Sequence, residues 1–257
     1  MPLLEIEHLG IRFGGLQALH DFSLQLEEGE LVGLIGPNGA GKTTVFNLVS
    51  GVYRPSAGEI RWMGRSLVGL RPSQIAQAGV ARTFQNIRLF KGLSVLDNVR
   101  AALYKSGRTH LFGALAGAGA LAAEEEAIFE RSMEMLELFG LAHLAAEPAG
   151  SLPYGHQRRL EMARALAARP RLLLLDEPAA GMNPAEAERL LEQIRWIHRH
   201  FGVAILLIEH QMRVVMGVCP RIVVLDFGEI IAEGPPEFIR QHPRVLEAYL
   251  GRQAEGS

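Results

Sequence analysis

Cysteine is almost absent from this chain. Its 257 residues hold one, Cys219. A single thiol excludes an internal disulfide framework, and it reads as a small buried filler rather than a reactive group. A reducing compartment suits such usage. Long apolar runs are missing too. The nearest candidate, Leu111 to Ala123, has thirteen small and apolar residues, whereas a membrane span needs about twenty. Any link to a membrane must therefore run through a partner. Met1-Pro2-Leu3-Leu4-Glu5 leads straight into alternating apolar and polar positions, so no signal peptide is expected. Neither sign of charge dominates, the formal balance being −2, which leaves no basic field for a nucleic-acid partner. There is no internal repeat. A chain of this length can bury its own core as one large domain, with or without an inserted subdomain.

What is present is a phosphate-binding loop. Gly36-Pro37-Asn38-Gly39-Ala40-Gly41-Lys42-Thr43-Thr44 satisfies every fixed position of G-x-x-x-x-G-K-[ST]. Before it, Glu30 to Ile35 is a short apolar run of the kind that forms a buried strand. After it, Thr44 to Val49 has helical spacing with no breaker before Gly51. The motif needs that strand-to-helix setting. Glycines let backbone N–H groups curl around phosphate oxygens, and the helix N-terminus adds donors and a partial positive charge. Lys42 then reaches the β- and γ-phosphates, and the Thr43 hydroxyl suits Mg²⁺. A nucleoside triphosphate is the expected ligand.

Strand-like alternation marks Leu4–Glu7, Phe22–Leu26 and Glu59–Trp62. Residues 86–157 lack strong strands, and Ala123–Leu138 has helical spacing, with Glu124-Glu125-Glu126 expected as a solvated first turn. The Gly/Ala-rich stretch 113–123 reads as a flexible or loosely helical insertion. Leu172–Asp176 and Val203–Ile208 are continuous apolar runs, as strands buried on both faces require, and each follows a helical segment. Ile222–Asp226 and Ile230–Ala232 read as a hairpin around Phe227-Gly228. Asp226-Phe227-Gly228 imitates a kinase metal motif, but no kinase catalytic loop accompanies it. The fold class expected is α/β: a mostly parallel sheet in a P-loop core, an N-terminal antiparallel β subdomain, and an inserted α-helical subdomain at about 86–157, all within one domain, 1–257.

A second carboxylate element lies well beyond the loop. Asp176, at a strand's end, can hold Mg²⁺ through water, and Glu177 next to it can polarise an attacking water. Between loop and strand, Ser151-Leu152-Pro153-Tyr154-Gly155-His156-Gln157-Arg158-Arg159 opens a long helix. With these residues the chain resembles the nucleotide-binding domain of ATP-binding-cassette transporters. The resemblance implies that Pro153, Tyr154, Gly155 and His156 occupy the signature that grips the γ-phosphate of ATP held by an opposite subunit. Proline stands where that family has serine, and Pro153 is compatible with a first helical turn. His156 is expected to face solvent, with donation to phosphate when protonated as its functional alternative.

The same resemblance assigns Gln85 to a loop that senses Mg²⁺ and γ-phosphate, and His210 to a switch histidine. It assigns Phe13 to the ring that stacks on adenine. Ala180-Gly181-Met182-Asn183 becomes a loop crossing the dimer interface, with Asn183 where aspartate is usual. Arg12-Phe13-Gly14-Gly15-Leu16, Gly79 to Gln85, Tyr154 to Leu160, Asp176 to Pro184 and Leu207 to Met212 narrow the likeness. They resemble the larger ATP-binding subunit of bacterial branched-chain amino-acid importers, and an insertion at 105–123 suits that subunit. No regulatory domain is expected after Ser257. What this implies is an ATPase with ATP and Mg²⁺ as cofactors, at the cytoplasmic face of the cell membrane. Its implied partners are transmembrane permease subunits, a second ATP-binding subunit and, indirectly, an external binding protein. An ATP-binding subunit of a lipopolysaccharide or lipid exporter is the rival from the same family. A non-transport ATP-dependent clamp is the rival from another class, and it lacks the sustained heptads it would need.

Overall fold

Two strand phases run through the first hairpin. In β1 (Leu4–Phe13) the buried positions are Leu4 and Ile6, then Leu9 and Ile11. In β2 (Leu16–Leu26) they are Leu19, then Phe22, Leu24 and Leu26. Each parity change falls on a residue with positive φ, His8 at 49° and Asp21 at 53°. The pairing register shifts there, as a bulge requires. Both strands are longer than the expected Leu4–Glu7 and Phe22–Leu26, because the bulges interrupt the alternation that marks a strand. With β4 (Ala57–Trp62) and β5 (Arg65–Ser66) they form an antiparallel sheet in the order β2-β1-β4-β5.

The computed structural model describes residues 1–83, 87–106, 118–210 and 212–254. Its chain divides into two units, Met1–Gln85 with Arg171–Ser257, and Asn86–Pro170. The first unit holds the antiparallel sheet and a second sheet built on β3 (Leu31–Ile35). Around β3 lie β6 (Val80–Arg82), β7 (Leu172–Asp176), β8 (Ala204–Ile208), β9 (Arg221–Asp226) and β10 (Glu229–Gly234), in the order β10-β9-β3-β8-β7-β6. All contacts in this sheet are parallel except β9 with β10. Every residue of β3, β7 and β8 is buried, which explains their unbroken apolar sequences. The hairpin expected around Phe227-Gly228 is present, with Asp226 paired to Glu229.

Helices complete the unit: α1 (Lys42–Val49) and α2 (Pro72–Gln77), then α6 to α9. These are α6 (Pro184–Phe201), α7 (Met212–Val218), α8 (Pro236–Gln241) and α9 (Pro243–Ala254). Helix α6 buries Ala187, Leu190, Leu191, Ile194 and Ile197, one stripe at helical spacing. Asn183 caps its start, accepting from the Ala185 and Glu186 N–H groups, and Gly202 at φ 59° ends it.

The second unit is helical: α3 (Val95–Ser106), α4 (Ala118–Leu138) and α5 (Tyr154–Ala167). Helix α4 starts at Ala118, so Glu124 to Glu126 lie beyond its first turn. Ala-rich chain extends a helix at little entropic cost, and the acidic run is not the helix start expected for it. Nor is Glu125 merely solvated, since it accepts from Arg100 and from the Tyr104 hydroxyl of α3. Residues 113–117 of the expected flexible insertion lie outside the described residues, and 118–123 are helical. Asn98, fully buried, ties down the loop before α3 by accepting from Phe90 N and donating to Phe90 O and Ser94 O. A buried ion pair, Arg158 with Glu161 at 2.9 Å, braces α5.

Candidate functional site

The loop from Gly36 to Gly41 joins β3 to α1 at the edge of the parallel sheet's C-terminal ends, where open α/β folds bind ligands. Two glycines in it cannot be replaced. A Cβ on Gly36 (φ 151°) would lie 2.0 Å from the Leu225 carbonyl oxygen, and one on Gly41 (φ 107°) 2.8 Å from that of Ala18. Among the described residues no side chain caps α1, and no acidic residue stands in its first turn. Its N-terminal N–H groups and the positive end of its dipole thus suit an anion. Lys42 is buried, its Nζ donating to Gly36 O at 2.6 Å and Pro37 O at 2.9 Å. The ammonium is held against the loop that it must serve.

An open cavity of about 360 Å³ runs past this loop. Asn38 to Thr44 line it, together with Phe13, Glu177 and Phe227. Phe13 is 43 % exposed and meets Tyr53 edge-to-face at 5.1 Å. Glu177 follows β7 with φ at 44°, an uncommon backbone for a residue with a side chain and one that recurs where function holds it. Its carboxylate lies 3.6 Å from Nδ1 of His210, which is half exposed. The structure therefore brings Phe13, the loop, Glu177 and His210 together. Gln85 lies outside the described residues.

Three residues of this neighbourhood escaped sequence reasoning. Glu209 is completely buried, and its oxygens accept from the Ala179 and His210 N–H groups. It pins the segment after β7 to the segment after β8. Arg82 donates to Asp176 Oδ2 at 2.8 Å, to Asn47 Oδ1 and to Ser50 Oγ, with its guanidinium over the Phe46 ring. It joins the end of β7 to α1. Only a charged residue inside the short Val80-Ala81-Arg82 strand hinted at this. Phe227 had been absorbed into a turn. Thr43, exposed on the cavity, and the Asp176 carboxylate are hard oxygen donors of the kind Mg²⁺ takes one or two of.

The signature segment belongs to the second unit. Pro153 is the N-cap of α5, extended at φ −55° and ψ 150°, one position before the helical turn expected for it. A proline has no side-chain oxygen, so α5 begins without a side-chain cap. Tyr154 is 48 % exposed, and a Cβ added at Gly155 would meet nothing. His156 does not simply face solvent. It is half-buried, with Nδ1 enclosed and without a hydrogen-bond partner among the described residues. Burial first, then Arg159 and His143, pushes its pKa down, which disfavours the protonated donor.

Strand, glycine loop, uncapped helix start and adjoining carboxylate define a P-loop nucleotide-binding cassette. The match to known proteins is close. Residues 19–180 fit the ABC transporter family model, and residues 229–255 fit that of the branched-chain amino acid ATP-binding cassette transporter. The chain is 47 % identical over 250 residues to the high-affinity branched-chain amino acid transport ATP-binding protein LivG of Salmonella typhimurium, covering 97 % of this chain and 98 % of that one. It is 45 % identical, with the same coverage, to BraF of Pseudomonas aeruginosa, whose name is otherwise the same. Among solved structures, an ATP-binding cassette of an ABC transporter in its ADP conformation superposes with a TM-score of 0.84 at 29 % identity, covering 98 % of this chain and 99 % of that one. The chain belongs to the ABC transporter family, as an ATPase cassette.

Proposed function

We propose that this chain is the ATP-hydrolysing subunit of a membrane importer of branched-chain, hydrophobic amino acids. The likeness to branched-chain transport subunits over 97 % of the chain carries the cargo class. The approach of Glu177 and His210 beside the phosphate loop supports the chemistry. Lys42 and the α1 N-terminus neutralise the phosphates. Thr43 and Asp176 would hold Mg²⁺, which would supply neutralising charge for the phosphates, and Gln85 would sense it. Glu177 takes the proton of the attacking water, and His210 fixes the γ-phosphate end. The signature residues Pro153 to His156 reach the ATP of a second ATP-binding subunit. The helical insertion, about 86–157, passes the resulting closure to permease subunits, which an external binding protein supplies. No helix among the described residues is long and apolar enough to cross a membrane. In this reading the subunit works at the cytoplasmic face through those partners.

The test uses Glu177→Gln, purified with its membrane subunits. Nucleotide affinity is retained while turnover falls by ~10²–10⁴, the usual contribution of a placed base. Lys42→Ala loses nucleotide binding itself. Glu177→Gln protein hydrolysing ATP at near wild-type rates removes the assigned chemistry. Turnover unmoved by leucine, isoleucine or valine in the intact transporter removes the cargo.

A further inference from the structure

The β9–β10 turn is fastened to the cavity from two directions. Gly228 N donates to Ala40 O at 2.9 Å, and His20 N donates to Gly228 O at 3.0 Å. Ala40 belongs to the phosphate loop. His20 lies in β2, two residues beyond Ala18, which lines the cavity with Leu16. A Cβ on Gly228 would come within 2.8 Å of Ala18 O, so the turn rests directly on that strand. The remaining residue of the turn, Phe227, lines the same cavity as Phe13 and is 75 % exposed.

Neither folding role of a phenylalanine explains it. A core filler would be buried. A turn former would be asparagine or aspartate, because a two-residue hairpin with positive φ at both positions, here 43° and 83°, favours Asn-Gly and disfavours a bulky ring. Non-glycine residues kept in such backbone cluster at ligand clamps and active sites. Lys42 and the loop backbone address phosphate by charge and N–H donors. A nucleobase offers flat apolar faces instead, and an aromatic ring is what stacks on them.

We propose that Phe227 contacts the base of the bound nucleotide, a second ring for it besides Phe13. The inference rests on the ATP reading above and adds a residue to it. The test compares ADP and inorganic tripolyphosphate binding by calorimetry, in the wild-type chain, Phe227→Asn and Phe227→Trp. Asparagine relieves the turn while removing the ring. Phe227→Asn binds ADP roughly 5- to 150-fold more weakly, a range typical of removing one stacking ring, while its tripolyphosphate affinity is unchanged and its unliganded melting temperature does not fall. Phe227→Trp binds ADP like the wild type. Undiminished ADP affinity in Phe227→Asn overturns the proposal. So does a parallel loss for both ligands, since that marks a turn that merely props Ala40. Wild-type protein that binds tripolyphosphate but not ADP removes the nucleotide reading and the proposal together.

Discussion

Glu209 and Arg82 have no place in the phosphate motif, yet Arg82 holds Asp176 and Glu209 holds the backbone at Ala179 and His210. Removing Arg82 leaves Asp176 buried, with its ion pair broken, and losing one partner of a buried pair costs about 3–5 kcal/mol. Arg82→Ala is accordingly expected to lower the urea midpoint substantially, and an unchanged midpoint would mean that Asp176 finds another partner. Cys219 gives a pH signature. It is 2 % exposed, and burial pushes its thiol well above the ordinary value of 9.0. The unfolded chain loses that proton above pH ~9 while the native chain keeps it, so stability falls as pH rises, by about 1.4 kcal/mol per unit. In Cys219→Ala that slope between pH 9 and 10 should disappear from denaturation curves. Tyr249, pushed up to about 12 chiefly by burial, adds its own share only above its ordinary range. His156 acts at the other end. Its depressed pKa means that the unfolded chain protonates first, so its effect is a loss of stability as pH drops below 6.5. The phosphate loop was legible because its residues are contiguous. Arg82, Glu209 and Phe227 were not, because each acts on segments far away in the chain.

At the level of single elements, local chemistry decides the ends. Asn183 was read as part of an interface loop, and in the structure its side chain accepts two backbone N–H groups at the start of α6. Asn183→Ala should cost about 1 kcal/mol, seen as a lower thermal midpoint, whereas Asn183→Asp should keep the cap. Strand cores were legible wherever burial is two-sided and continuous, as in β7 and β8. The first hairpin was only half legible. A bulge at His8 moves the buried parity from Leu4 and Ile6 to Leu9 and Ile11, and a second at Asp21 does the same to β2. A period-two pattern that changes phase reads as a strand that has ended. The start of α4 was misplaced for a different reason. Alanines and glycines before Glu124 carry no amphipathic signal, although alanine favours helix strongly.

For the whole molecule, α/β alternation announced a parallel sheet, but not that β3 lies between β8 and β9, since periodicity names strands and not their neighbours. Pro153 bears on assembly. If two cassettes pair around ATP as proposed, the missing hydroxyl at that N-cap removes one charge-assisted hydrogen bond per site, ~1.5–3 kcal/mol. In the Glu177→Gln background with ATP and Mg²⁺, Pro153→Ser should tighten the dimer in sedimentation by about ten- to a hundred-fold for each of its two sites. An unchanged or weaker constant would mean that backbone groups alone hold the γ-phosphate. The order of the sheet also bears on how the protein is made. Strand β3 leaves the ribosome early, but its two neighbours begin at Ala204 and Arg221. At ~5–20 residues per second, roughly 10–40 seconds pass before they are synthesised. Throughout that interval Leu31 to Ile35, five apolar or glycine residues destined for full burial, waits with both hydrogen-bonding edges open. A newborn chain stalled before residue 204 is thus a chaperone's client rather than a half-built enzyme.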